Sequence, residues 1–125
     1  MIDHISLAVS DLPRAVAFYE TVLAPLGLAK LVTSDRMSGF GKNYPEIWIN
    51  LRPGMARLPA DSGAHVALRA TTPAAVDAFH AAAVAAGAVS ESAPALRPHD
   101  RVRYYAAFVV DADGNRIEAV TFPQG

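Results

Sequence analysis

The sequence has 125 residues, 52% of them apolar and 18% charged, with no cysteine, eleven Lys and Arg against twelve Asp and Glu, and a formal net charge of -1. That length reads as one compact domain, or two small modules that share a core, burying roughly two-thirds of the unfolded surface. The missing cysteines exclude disulfides, thiolate metal sites and a Cys nucleophile, and the even charge with no basic block excludes a nucleic-acid partner.

No apolar run approaches the roughly 18 residues of a membrane span, and the opening MIDHISLAVSD has no cationic n-region. The expectation is a cytoplasmic protein with no membrane partner. Its high apolar content suggests a surface covered by a partner subunit.

Residues 2–9 alternate, with Ile5, Leu7 and Val9 on one face and His4, Ser6 and Ala8 on the other, which predicts a strand. Ser10-Asp11 offers a helix cap and Pro13 fits the first turn; the helix stops near Pro25 to Gly27. Strands are expected at 28–33, 37–41 and 47–51, the last with Ile47, Ile49 and Leu51 opposite Trp48 and Asn50. Residues 52–63 carry two Pro and two Gly and read as a linker. A strand follows at 64–70, with Val66 and Leu68 opposite His65, Ala67 and Arg69. Thr71-Thr72-Pro73 opens an Ala-rich helix at 74–86 that ends at Gly87. A short strand at 88–92, a loop at 93–103 and strands at 104–110 and 116–122 complete the chain, the last two around the turn Asp111-Ala112-Asp113-Gly114-Asn115.

Sliding the chain by 61 residues lays His4 on His65, Leu7 on Leu68, Ala17 on Ala78 and Phe18 on Phe79. The order strand–helix–strand–strand–strand therefore occurs twice, in modules at about 1–58 and 63–123. His4 and His65 occupy matching positions among small neighbours. Glu118 is an acid in the middle of an apolar strand, and buried carboxylates are rare unless paired or bound to a cation. Each has an ordinary reading by itself: a solvated His4, a core His65, and Glu118 paired with Arg116 or Arg69. Together, two imidazoles and a carboxylate are the donor set of a facial triad for a divalent metal.

These stretches resemble the vicinal oxygen chelate superfamily of glyoxalase I, bleomycin-resistance proteins, fosfomycin-resistance thiol transferases and extradiol dioxygenases. The resemblance rests on Asp3-His4 through Val9-Ser10-Asp11-Leu12, on Ala17-Phe18-Tyr19-Glu20 through Leu26-Gly27-Leu28, on Ala64-His65-Val66-Ala67-Leu68, and on Asp111 through Val120. It implies an α+β fold of two βαβββ modules, a curled mixed sheet round a central cavity. It also implies that His4, His65 and Glu118 stand at metal-ligand positions. Arg97-Pro98-His99 with Tyr104-Tyr105 resembles a glyoxalase-like subgroup, although Asp100-Arg101-Val102-Arg103 stands where that subgroup carries a further histidine.

A second carboxylate is missing from the strand at 47–51, which offers Trp48 and Asn50, with Glu46 ahead of it. The site therefore leaves positions open for water or substrate, and its N and O donors do not choose among Fe, Mn, Ni and Zn. Trp48, Asn50, His99, Arg103 and Tyr105 are candidate substrate contacts, with Glu118 also the candidate catalytic carboxylate. The expectation is a homodimeric, glyoxalase-like lyase or isomerase whose metal acts as Lewis acid on a small oxygen-chelating substrate. The alternatives are a metal-free drug-binding protein of the bleomycin-resistance type and an Fe(II) dioxygenase. Thiol transfer to fosfomycin, a further alternative, needs a cation-binding loop and phosphonate-binding basic residues, and the sequence marks neither clearly.

Overall fold

Each long helix starts on a side-chain cap with proline in its first turn, as the sequence indicates. Asp11 accepts the Arg14 N–H at 3.1 Å at the head of α1 (Leu12–Leu23), and Thr72 accepts the Ala75 N–H at 3.1 Å at the head of α2 (Pro73–Ala85). A 3-10 turn, Ala24–Leu26, prolongs α1 and is closed by Gly27 at φ 79°, a backbone geometry that favours glycine. The computed structural model describes residues 1–124.

The strands are β1 (Ile5–Val9), β2 (Ala29–Thr33), β3 (Met37–Gly41), β4 (Ile47–Leu51), β5 (Val66–Arg69), β6 (Val89–Arg97), β7 (Tyr104–Val110) and β8 (Arg116–Thr121). They form two four-stranded mixed sheets, β1-β4-β3-β2 and β5-β8-β7-β6. In each, the first strand of a module pairs in parallel with the last, and the other pairs are antiparallel. The duplicated α+β topology is present. The two sheets stay separate and do not close into a barrel.

One face of each sheet is covered by its helix and the other is left open. Val9, Phe40, Ile47 and Ile49 pack under α1, while Val109, Ile117 and Ala119 pack under α2, and the helices touch each other. These buried faces are the branched alternate positions of each strand, so burial rather than strand propensity fixes the register.

Three elements differ from expectation. β1 and β5 begin at Ile5 and Val66, so His4 and His65 stand just ahead of their strands rather than within them. β6 runs on to Arg97, shortening the expected loop to residues 98–103. Pro94 is tolerated there because β6 is an edge strand and its register slips between Ser92 and Ala95.

The turn at 111–115 does more than join β7 to β8. Asp111 accepts the Tyr19 hydroxyl at 2.5 Å and the backbone N–H groups of Asp113 and Asn115 at 2.9 and 2.8 Å. Asp113 accepts the Ser10 hydroxyl at 2.6 Å, and Asn115 donates to the Ala8 carbonyl at 2.9 Å. Module two is thereby tied to the end of β1 and to α1. The linker joins in through the Leu58 N–H, which donates to the Asp113 carbonyl at 2.9 Å. None of the described helices is long and apolar enough to cross a membrane.

Candidate functional site

The candidate site lies on the open face of the second sheet. In register, Ala67 of β5, Glu118 of β8 and Phe108 of β7 lie side by side. Strand alternation sends Ile117 and Ala119 under the helix and Glu118 to the opposite face. Glu118 is nevertheless only 1% exposed, because its neighbours close over it. A carboxylate so placed is costly unless its oxygens are satisfied.

Both oxygens have partners. His65 Nε2 lies 3.1 Å from Oε1, and the Tyr104 hydroxyl donates to Oε2. An ionised carboxylate only accepts, so this contact selects a His65 form with hydrogen on Nε2. The His65 ring also lies 5.7 Å from the Phe108 ring. Burial, and then the bond to the Glu118 carboxylate, push the Tyr104 phenol up to about 12. Tyr104 is therefore a neutral donor at ordinary pH.

His99 reaches this cluster, stacking on Tyr104 with ring centres 5.9 Å apart. Its Nδ1 accepts the backbone N–H groups of Arg101 and Val102 at 3.1 and 3.3 Å, so the imidazole also shapes the short loop before β7. Arg103 lies exposed immediately ahead of β7.

Other sequence candidates stand elsewhere. Tyr105 points the opposite way to Tyr104 and donates to Asp77 of α2 at 2.6 Å. Trp48 and Asn50 lie on the open face of the first sheet, in register with Ser6 and Ala8. Glu118 does not pair with Arg116 or Arg69: Arg116 binds Glu91 at 3.0 Å, and the Arg69 guanidinium lies 4.5 Å over the Phe122 ring. His4 is exposed, with Nδ1 2.7 Å from Asp3 Oδ1.

His4 and His65 do line one groove of about 560 Å³, together with Glu46, beside the free edge of β5. Among the described residues, however, no three His, Asp or Glu side chains converge as a metal would require. His65 and Glu118 meet; His4 does not join them. The donor set of one chain therefore does not fit the expected three-ligand metal.

Two features were not settled by the sequence. Tyr104 and Tyr105 lie on opposite faces, and the sequence alone leaves open which one faces the site; counting back from the turn at 111–115 pairs Phe108 with Glu118, and Tyr104 shares the parity of Phe108. The Asp111 and Asp113 contacts had no signal, because Ser10 and Tyr19 lie about ninety to a hundred residues away in sequence.

Comparison with known proteins agrees with this architecture. A crystal structure of a glyoxalase/bleomycin resistance protein from Albidiferax ferrireducens T118 is similar over 94% of this chain and 96% of its own, at 28% identity and TM-score 0.83. A mutant glyoxalase I from Zea mays is similar at 22% identity and TM-score 0.72, over 94% of this chain and 44% of its own. The fosfomycin resistance protein FosX from Listeria monocytogenes shares the fold at 19% identity and TM-score 0.67, over 96% and 91%. Among curated proteins the comparison finds no match. The family model for the Glyoxalase/Bleomycin resistance protein/Dioxygenase superfamily matches residues 1–119. With its paired modules and a family match over nearly its whole length, the chain belongs to that superfamily.

Proposed function

We propose that the open face of the second sheet is the active site of a glyoxalase-like lyase or isomerase that moves a proton on a small, vicinally oxygenated substrate. The observation that carries this reading is Glu118, a buried carboxylate held by a neutral phenol and an imidazole. Glu118 takes the proton from a carbon next to a carbonyl. The Tyr104 hydroxyl shifts from Glu118 to the developing oxyanion, and Phe108 keeps water from that side. A positioned base of this kind contributes about 10²- to 10⁴-fold.

The superfamily commonly uses divalent metals, and His65 with Glu118 are the donors one chain brings together. Further donors would come from water, substrate or a second copy of the chain. A homodimer is the proposed assembly, supported by the exposed Leu31, Val32 and Met37 on β2 and β3. A second reading, capture of a small molecule without turnover, is favoured by the separation of His4 from His65 and Glu118.

The test is C–H to C–D exchange in heavy water, followed by NMR across hydroxyacetone, lactaldehyde and the hemithioacetal of methylglyoxal. Exchange in the wild type that falls at least 100-fold in Glu118→Gln supports the proton-transfer reading. Equal exchange in both proteins overturns it. Binding without exchange favours the capture reading, and elemental analysis of wild type against His65→Ala shows whether these donors hold metal.

A further inference from the structure

Arg97 lies at the end of β6, in register with Tyr104, on the face that carries Glu118. Its side chain runs back along the sheet over Ala106. Nη2 donates to the carbonyls of Ala93 and Ala106 at 3.1 and 3.0 Å. The guanidinium carbon lies 5.5 Å from the centre of the Phe108 ring. Nε is buried without any hydrogen-bond partner, and among the described residues Arg97 forms no ion pair.

This arrangement is unusual for an arginine next to a carboxylate site. Guanidinium groups ordinarily pair with a carboxylate or face water. Here Nη2 is fixed by backbone carbonyls, Nε is sealed, and Nη1 has no partner among the described residues. Glu118, the buried acid of that face, is already engaged by His65 and Tyr104. Arg69, on the same face, also rests on an aromatic ring instead of an acid. Phe122, the ring beneath it, stands edge-on to Tyr104 with centres 5.4 Å apart. Two cations without carboxylate partners thus flank one carboxylate. The face lacks a negative charge that a ligand would supply.

We propose that Arg97 is a substrate-binding residue that recognises an oxyanion, so that the substrate of this site is a small acid. The immobilised guanidinium presents Nη1 to a carboxylate or phosphonate head, with no rotamer search on binding. Arg69 adds its charge at the other end of the cluster. The oxygenated carbon next to that head then lies toward Tyr104 and Glu118. The inference rests on the active-site reading above, but concerns binding and not proton transfer.

The test follows the Nε–Hε resonance of Arg97 by NMR, which burial protects from exchange with water. The full-length protein is titrated with glycolate, pyruvate and methylphosphonate, and with the uncharged glycolamide and pyruvamide. The expected result is a saturable shift with at least one of the acids and at least tenfold weaker binding of the matching amides. Carboxylates preferred over methylphosphonate identify a carboxylic acid; the reverse identifies a phosphonate. Arg97→Lys, which keeps the charge, and Arg97→Met, which does not, should weaken acid binding by about tenfold and more than tenfold, and Arg97→Met should abolish the preference for acids over amides. A folded Arg97→Met that keeps the preference overturns the proposal, as does the absence of any shift with all three acids. Glu118→Gln should bind acids as well as the wild type or better. That result with no proton exchange in any protein would sink the reaction and leave the anion site standing.

Discussion

The two modules share a topology and differ at the position that matters. Ser6 of β1 faces Trp48 of β4, and the equivalent Ala67 of β5 faces Glu118 of β8. Across the next strand, Trp48 lies against Gly39 and Glu118 lies against Phe108. In the first module a large indole covers a residue with no side chain. A Cβ on Gly39 would come within 3.0 Å of the indole and 2.9 Å of Pro45 Cβ. The second module instead surrounds a small acid with aromatic rings. One scaffold thus fills the pseudo-symmetric spot with an indole in one copy and with a buried carboxylate in the other. The duplication is legible in the elements, and the asymmetry between copies leaves a buried carboxylate in only one of them.

The largest effect is expected from importing a side chain into the first module. A Cβ at Gly41 would lie 1.9 Å from the Tyr44 carbonyl oxygen, whereas β7 carries Val110 at the corresponding end of its strand. Gly41→Ala should cost about 3 kcal/mol or more in urea unfolding, because a backbone atom must move. Val110→Ala, measured alongside, should cost about 1 kcal/mol. Equal costs would show that the two strand ends are interchangeable.

A smaller effect is expected where the modules meet. Tyr19→Phe removes the hydroxyl that Asp111 accepts and leaves a buried carboxylate oxygen with one partner fewer. The expected loss is about 2 kcal/mol, again by urea unfolding. Retention of full stability would mean that the turn does not fasten the second copy to the first.

The remaining effect is a titration, expected at Tyr104. Its phenol is raised from the ordinary 10 to about 12, so folding favours the protonated form. That contribution is complete below pH 10 and is lost as pH rises through about 12. Ultraviolet titration of wild type minus Tyr104→Phe should isolate one phenol ionising near pH 12. A phenol titrating near 10 would separate Tyr104 from Glu118.

The sequence carried local information well. Asp11 and Thr72 cap the helices because a side-chain oxygen one residue ahead of a proline turn has few other uses. Alternation in β1, β4 and β8 placed the branched residues under the helices, and the out-of-pattern Glu118 marked the site. Pairings across the chain were less legible. His4 and His65 match in sequence, yet they precede their strands, and only His65 reaches Glu118. A common position within a repeat does not set where two side chains converge, because that depends on how the modules dock. Arg97 was hidden for a related reason: a bulge around a proline lets β6 continue through what reads as loop.

The knot of hydrogen bonds at the β7–β8 turn bears on how the chain melts. Its carboxylate acceptors, Asp111 and Asp113, lie in the second half, while Ser10 and Tyr19, two of their donors, lie in the first. Separating the halves would strand acids on one side and donors on the other, in modules of about sixty residues that have little core of their own. Both halves are expected to unfold in one cooperative transition, and β8, the strand that bears Glu118, is anchored at its start by residues of the other half.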